Sequence, residues 1–327
     1  MVIVTNLVGK TKDGTVKKGF YMDGFLAYNL LPIKKYLDKE WDCVGIVSGH
    51  GKVRIGKSVL GFQVASYISW ILAGGKMKME RVPKGRKTTW EMTNIQHPKK
   101  PSTFCLEENV VFSANDLQKR AHALYKKYGK NQILLYDEGR QGLEAKRAME
   151  SLNKTMEDFL QECGFMGHII IIVLPNFFKL HEDYAVARSL FLIDAFTDRN
   201  KQRGFFNFYD ENQKEWLYFL GKKKIGITQK YTAAHESFWG RFSSWFPFDK
   251  EEYEKMKQES IAKKYRTQRQ INWKKQRDAL IYLYKKFSEK SSSEIAEEIT
   301  ISSGFKISRE VVDHTIQRLT KSWTDTS

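Results

Sequence analysis

One stretch of the sequence combines residue types and a spacing that define a chemistry. A short apolar run, Val44 to Val47, breaks into glycine and small polar residues, and Gly51 is followed after four residues by Gly56, Lys57 and Ser58. This is the G-x-x-x-x-G-K-[ST] spacing of a phosphate-binding loop. Across Gly51, Lys52, Val53, Arg54, Ile55 and Gly56, backbone N–H groups are expected to turn inward as a nest around a β-phosphate, with glycine where a Cβ would obstruct. Lys57 is placed to reach β- and γ-phosphate oxygens, and the Ser58 hydroxyl to ligate Mg²⁺. Val59, in the first turn of the next element, completes the candidate nucleotide contacts. That element, SVLGFQVASYISWIL, reads as an apolar helix whose positive dipole end faces the phosphates.

Hydrolysis needs a second half, and LLYDE supplies it. Asp137, at the end of an apolar strand, is expected to hold Mg²⁺ through water, and Glu138 to polarise the attacking water as general base. The next apolar run ends in Pro175-Asn176. If that strand neighbours the loop strand, Asn176 projects beside the γ-phosphate as a sensor; otherwise it is a strand-end cap. Arg140, Arg147 and Arg188 are candidate arginine fingers, each able to serve the site of a neighbouring subunit by stabilising charge on the transferred phosphoryl group.

These residues need a scaffold, and the surrounding pattern predicts one. Strand candidates at 108–114, 132–138, 168–176 and 189–196 alternate with helix candidates at 115–129 and 142–163, which implies a mostly parallel α/β sheet wound by helices on both faces. Ahead of the loop, a small strand at the N-terminus and a helix over 25–39 interrupted by Pro32 carry no evident chemistry. Residues 76–104, basic and Pro-containing, read as an insertion or flexible excursion. The segment 203–224 reads as a β-hairpin, two aromatic-rich runs about a polar DENQK, and residues 225–248 as an irregular aromatic extension.

From Lys255 to Arg277 the charge is nearly all positive, with Lys263, Lys264, Arg266 and Arg269 as candidate phosphate contacts to DNA. The chain then offers three short helices, DALIYLYKKF, a serine-capped SSSEIAEEI, and SREVVDHTIQRLTK beyond a turn at Gly304. Their spacing suggests a helix-turn-helix or winged-helix module, with Arg309 and His314 on the groove-reading helix. Small three-helix domains also bind proteins. The expected organisation is an N-terminal extension (1–42), an ATPase core (43–202), a hairpin and aromatic extension (203–249), a basic helical linker (250–271) and the helical module (272–327).

Length and charge agree with this partition. The 327 residues exceed one average domain, and the net charge of +17 favours an acidic partner, nucleic acid before membrane. Cys43, Cys105 and Cys163 are widely spaced with no C-x-x-C, which argues for reduced thiols and a cytoplasmic setting. The longest apolar runs fall short of a membrane span, and no signal peptide is evident.

Taken in order, GHGKVRIGKS, LLYDEGRQGL, NKTMEDFLQECGF and IIIIVLPNFFKLHEDYAVARS resemble the additional-strand, catalytic-glutamate P-loop ATPases. Within them the chain looks most like the FtsK/HerA-related branch, with its DNA translocases, viral genome-packaging ATPases and zonular-occludens-toxin-like phage proteins. The resemblance covers roughly residues 41–220. It implies ATP and Mg²⁺ as ligands, Lys57 and Ser58 on phosphate and metal, Asp137 as the metal carboxylate, Glu138 as the base, and a ring oligomer completed by the adjacent subunit. Two departures stand out. The branch typically has Gln at the sensor position, where this chain has Asn176, and no second carboxylate cluster suggests a nuclease. Lys52 also matches the extra lysine of partition-type ATPases, which lack a Glu after the strand-end Asp. The leading expectation is an ATP-hydrolysing motor or switch on DNA, of viral or mobile-element type. The alternatives are a nucleotide-switched DNA-binding protein and an assembly ATPase whose helical module binds only protein.

Overall fold

The computed structural model describes residues 2–4, 9–10, 16–17, 20–41, 43–50, 54–85, 87–96, 98, 102–137, 166–222 and 230–324. They fall into two compact units, Met1–Lys257 and Gln258–Ser327.

The first unit opens with two small antiparallel ribbons, β1 (Val2–Val4) against β4 (Phe20–Met22) and β2 (Gly9–Lys10) against β3 (Val16–Lys17). Two short helices follow, α1 (Gly24–Leu30) and α2 (Ile33–Asp38), broken at Pro32 as the sequence predicts. Next come β5 (Cys43–Ser48), α3 (Lys57–Leu72), β6 (Lys76–Lys84) and β7 (Lys87–Gln96). After these are α4 (Leu106–Asn109), β8 (Val110–Val111), α5 (Ala114–Tyr128), β9 (Ile133–Asp137) and β10 (Ile169–Val173). The unit continues through β11 (Ser189–Phe196), β12 (Phe205–Tyr209), α6 (Glu211–Lys222), β13 (Phe238–Arg241) and the start of α7 (Lys250–Phe287).

Seven strands form the main sheet in the order β13-β12-β11-β5-β10-β9-β8. The five from β11 to β8 run parallel, and β12 and β13 extend the β11 side antiparallel. Strands buried on both faces read as unbroken apolar runs, which is why CVGIVS, ILLYD and IIIIV are legible in the sequence. Alternate residues feed two cores. On one face Val47, Leu135, Ile171 and Ile193 pack with α1, α2 and α3; on the other Ile46, Leu134, Ile172 and Leu192 pack with α5 and α6. Helices therefore cover both faces, the expected α/β architecture.

Three local expectations are corrected. Residues 203–224 are not a hairpin, since only Phe205–Tyr209 is strand and the polar stretch begins helix α6. The Asp210 carboxylate accepts from the Gln213 N–H at 3.0 Å, and Lys214, Leu217, Tyr218 and Gly221 then bury one helical face. Within residues 76–104, expected as an insertion or flexible excursion, residues 76–96 form an ordered two-stranded ribbon. Lys84 pairs with Lys87, and Gly85 in the turn between them takes φ +62°. The 108–114 strand shortens to Val110–Val111, because a single turn of helix, α4, precedes it.

In the second unit α7 continues to Phe287 and is followed by α8 (Ser292–Ser303) and α9 (Arg309–Thr324). The serine cap is a full capping box. The Glu294 N–H donates to Ser291 Oγ at 3.3 Å and the Ser291 N–H to Glu294 Oε2 at 2.7 Å. Gly304, at φ +71°, ends α8 in the left-handed conformation. Ile281, Ile295, Ala296 and Val312 make a small core. Beside it the buried Asp278 bonds to Arg277 and Arg318; burial pushes its carboxyl up, but the two guanidiniums outweigh that and hold it below its ordinary value. The first of the three helices expected here is not separate from the basic linker, since both lie on the single helix α7. Among the described residues, no helix is long and apolar enough to cross a membrane.

Candidate functional site

The loop leaves β5 at the carboxyl edge of the sheet, between β10 and β11. From β5 the chain builds outward strands on one side, returns inward to β10, and then crosses to β11. The strand order thus reverses beside the loop, the position at which open α/β sheets take ligands.

The loop is tightly folded. His50, Arg54 and Gly56 all adopt left-handed backbone, at φ +48°, +57° and +98°. For a non-glycine residue this conformation costs on the order of 1 kcal/mol and persists only where its surroundings hold it. For His50 the holder is Asp194, fully buried in β11 and opposite Ser48 in the parallel register. Asp194 Oδ1 accepts from Ser48 Oγ at 2.8 Å and from the His50 N–H at 3.3 Å. The His50 Nε2 lies 2.8 Å from Oδ2, without hydrogen-bond alignment. The His50 ring also stands edge-on to Tyr231 at 4.3 Å. Further along, Lys57 folds back over Gly49, where an added Cβ would come within 2.8 Å of the lysine Cδ. Gly49 thus matters although it lies outside the motif.

Lys57 begins α3 between two buried carboxylates. Burial lowers its pKa; the negative charges of Asp137 and Asp194 oppose that, and Lys257 reinforces it. Its ammonium is held where it can meet phosphate oxygens. Ser58 follows on the first turn, and Asp137 ends β9, 1% exposed. Their environment includes the first turns of α7. The Tyr253 hydroxyl donates to Asp137 Oδ2, Lys257 Nζ donates to the same oxygen at 3.2 Å and to the Tyr253 hydroxyl at 2.8 Å, and Ser58 approaches that phenolic oxygen. Burial raises the Tyr253 pKa, with the Asp137 charge adding to it, so the phenol is protonated.

These groups line one cavity of about 630 Å³, within the range of small-molecule sites. One wall is the loop from Arg54 to Val59 with Asp137 and Pro175; the other is Arg203, Phe242, Lys250, Tyr253, Glu254 and Lys257. Ser58 and Asp137 bring hydroxyl and carboxylate oxygens to the same cavity, the hard donors that Mg²⁺ takes alongside phosphate and water. A lysine ammonium already sits on that carboxylate. The donor set therefore fits a cation.

The structure brings together Arg54, Ile55, Gly56, Lys57, Ser58, Val59 and Asp137. It does not gather the other candidates there. β10 does neighbour β5, yet Asn176 caps the 3-10 turn Phe177–Lys179, its Oδ1 accepting from the Phe178 N–H at 3.0 Å. Pro175, not Asn176, lines the cavity. Arg188 precedes β11 at the amino edge, so it is remote from this chain's own loop and lines a separate cleft with Trp41 and Glu215. Gly51, Lys52, Val53, Glu138, Arg140 and Arg147, with the 142–163 helix, lie outside the described residues. Lys263, Lys264, Arg266 and Arg269 fall within α7; Arg309 and His314 are exposed on α9. Sequence reasoning missed Asp194, His50, Phe242, Tyr253 and Lys257. No protein-family model matches the chain, and searches among curated proteins and solved structures return no match.

Proposed function

We propose that this chain is a P-loop ATPase that hydrolyses Mg-ATP and works on DNA. The observation that carries the reading is the convergence of Lys57, Ser58 and Asp137 on one cavity at the sheet's switch point. The strand order supports the class, because β10 lies between the loop strand and the strand ending in Asp137. A strand added at that place is what the additional-strand name denotes. In this reading the loop N–H groups and Lys57 bind the β- and γ-phosphates, and Ser58 and Asp137 hold the metal. The bound Mg²⁺ supplies charge neutralisation on the phosphoryl oxygens. Glu138, the residue after Asp137, orients and deprotonates the attacking water, and Phe242, whose ring lies 3.0 Å from where a Gly56 Cβ would be, offers an apolar face to the nucleotide.

DNA as the partner rests on the +17 net charge, the basic run along α7 and the exposed Arg309 and His314 on α9. Ring assembly, with Arg140 or Arg188 acting in a neighbour's site, belongs to the same proposal. A nucleotide-driven switch without translocation is the second reading. It is favoured because α7, which touches Asp137 at Tyr253 and Lys257, is also the helix that carries the basic run. The test is ATP turnover with and without duplex DNA in wild type and Glu138→Gln. Turnover stimulated by DNA and lost in the variant supports the reading; turnover indifferent to both overturns it.

A further inference from the structure

We infer that Tyr253 and Lys257 are an internal stand-in for the metal, occupying the Asp137 oxygen that Mg²⁺ needs and releasing it when Mg-nucleotide loads. The inference rests on the nucleotide-site reading above and extends it to the site's regulation.

Three observations carry it. Both groups converge on one oxygen, Asp137 Oδ2, rather than spreading over the carboxylate. The phenolic oxygen is also the one Ser58 approaches, so the hydroxyl stands between the two residues whose oxygens would share a cation. Lys257 then brings a positive charge to 3.2 Å from that oxygen, which offsets the charge of a buried carboxylate. A hydroxyl and an ammonium thus supply what a divalent cation supplies, oxygen contacts and positive charge, in the same place.

The anchoring of the two residues differs in a way that suits exchange. The Tyr253 ring is fixed by packing edge-on against Phe62 at 5.3 Å and tilted against Phe246 at 5.2 Å. Its backbone is part of the main core, so the helix start stays docked while the hydroxyl is the only polar group it contributes. Lys257, one turn later, has a side chain 17% exposed, and its long stem can withdraw the ammonium into the cavity without disturbing the core. Released there, the ammonium faces the phosphates. Loading then requires that these two bonds be given up.

The consequence is competition, so weakening the stand-in tightens the metal. The probe is Mn²⁺ in the presence of ADP, followed by electron paramagnetic resonance on the full chain. Lys257→Met is expected to lower the half-saturating Mn²⁺ concentration by about tenfold, since a charge-assisted bond no longer has to be broken. Tyr253→Phe keeps the aromatic packing and is expected to lower it by roughly threefold. Lys255→Met is the control, because it removes an exposed cation from the same helix outside the cavity lining and is expected to change Mn²⁺ binding little. An unchanged or weaker Mn²⁺ affinity in Lys257→Met overturns the inference, as does an equal tightening in Lys255→Met, which would make the effect a general field. Should Lys257→Met fail to fold, Tyr253→Phe against wild type decides alone. Fluorescent-ADP binding without metal separates the two levels. ADP bound by wild type and lost in Lys57→Ala leaves the site reading standing whatever Mn²⁺ does, whereas no ADP binding by wild type removes that reading and this inference together.

Discussion

Two buried carboxylates flank Lys57, and they are held in opposite ways. Asp137 ends β9 on the sheet face shared with α3, and its partners, Tyr253 and Lys257, come from a helix start distant in sequence. Asp194 lies in β11 on the other face, and its partners, Ser48 and His50, belong to the loop itself. One carboxylate is bound by groups that a cation can replace. The other is locked into the backbone turn it supports. In the proposed reading the difference separates chemistry from scaffolding: Asp137 is the metal ligand, and Asp194 is a brace that holds His50 in its left-handed conformation.

Substitutions at the two positions should therefore break different properties. Asp137→Asn, and Glu138→Gln beside it, are expected to lower the hydrolysis rate about 10²–10⁴-fold while nucleotide binding survives, because they act on metal and water rather than on ground-state phosphate. Single-turnover rates with equilibrium binding check this; a variant as fast as wild type removes that residue from the mechanism. Asp194→Ala is expected instead to cost about 2 kcal/mol of stability, since it strands the buried Ser48 hydroxyl and the His50 N–H, and to weaken nucleotide binding with it. Chemical denaturation reads the first effect. A stable Asp194→Ala with normal affinity would make the brace superfluous.

A third buried charge sharpens the contrast, because it is bonded by carbonyl and hydroxyl oxygens, with the carboxylates of Glu211 and Glu215 acting on it only as nearby charges. Lys214 on α6 donates to the Val186 carbonyl at 2.8 Å and to Ser189 Oγ at 2.6 Å, and burial lowers its pKa from 10.5 to about 8. Between those values the unfolded chain binds the extra proton, so stability should rise with pH from about 8 to 10.5. The slope from this residue is at most about 1.4 kcal/mol per pH unit. Denaturation of Lys214→Met across this window should lack that rise; an identical slope in wild type and variant would assign it elsewhere. The smallest expected effect lies in the basic run. Replacing Lys263, Lys264, Arg266 and Arg269 by Ala should flatten the salt dependence of duplex binding by about 0.9 in log–log slope for each phosphate no longer neutralised. An unchanged slope would return those side chains to solvent and favour a protein partner.

What the sequence disclosed follows the same divide. The loop, the LLYD strand and the apolar runs of β10 and β11 are local patterns, and each strand was legible because burial on both faces makes its sequence mostly apolar. Asp194 was not, since an aspartate inside SLFLIDAF gains meaning only when β11 pairs with β5 and sets it opposite Ser48. Tyr253 and Lys257 reach Asp137 across 116 and 120 residues, and within a basic helix nothing marks them. The hairpin expected over 203–224 failed for a local reason: aromatic runs favour strand, but Asp210 caps a helix whose buried face repeats at three and four residues. The β6–β7 ribbon was obscured by its composition, because charged and polar residues spread along both strands break the apolar alternation that marks a half-buried strand.

The central claim is that the loop binds nucleotide phosphates through Lys57, and calorimetric titration of wild type and Lys57→Ala with Mg-ATP tests it most directly. The account predicts saturable one-site binding by the wild type and loss of measurable binding by a folded Lys57→Ala. No binding by the wild type, or equal binding by both, would contradict it.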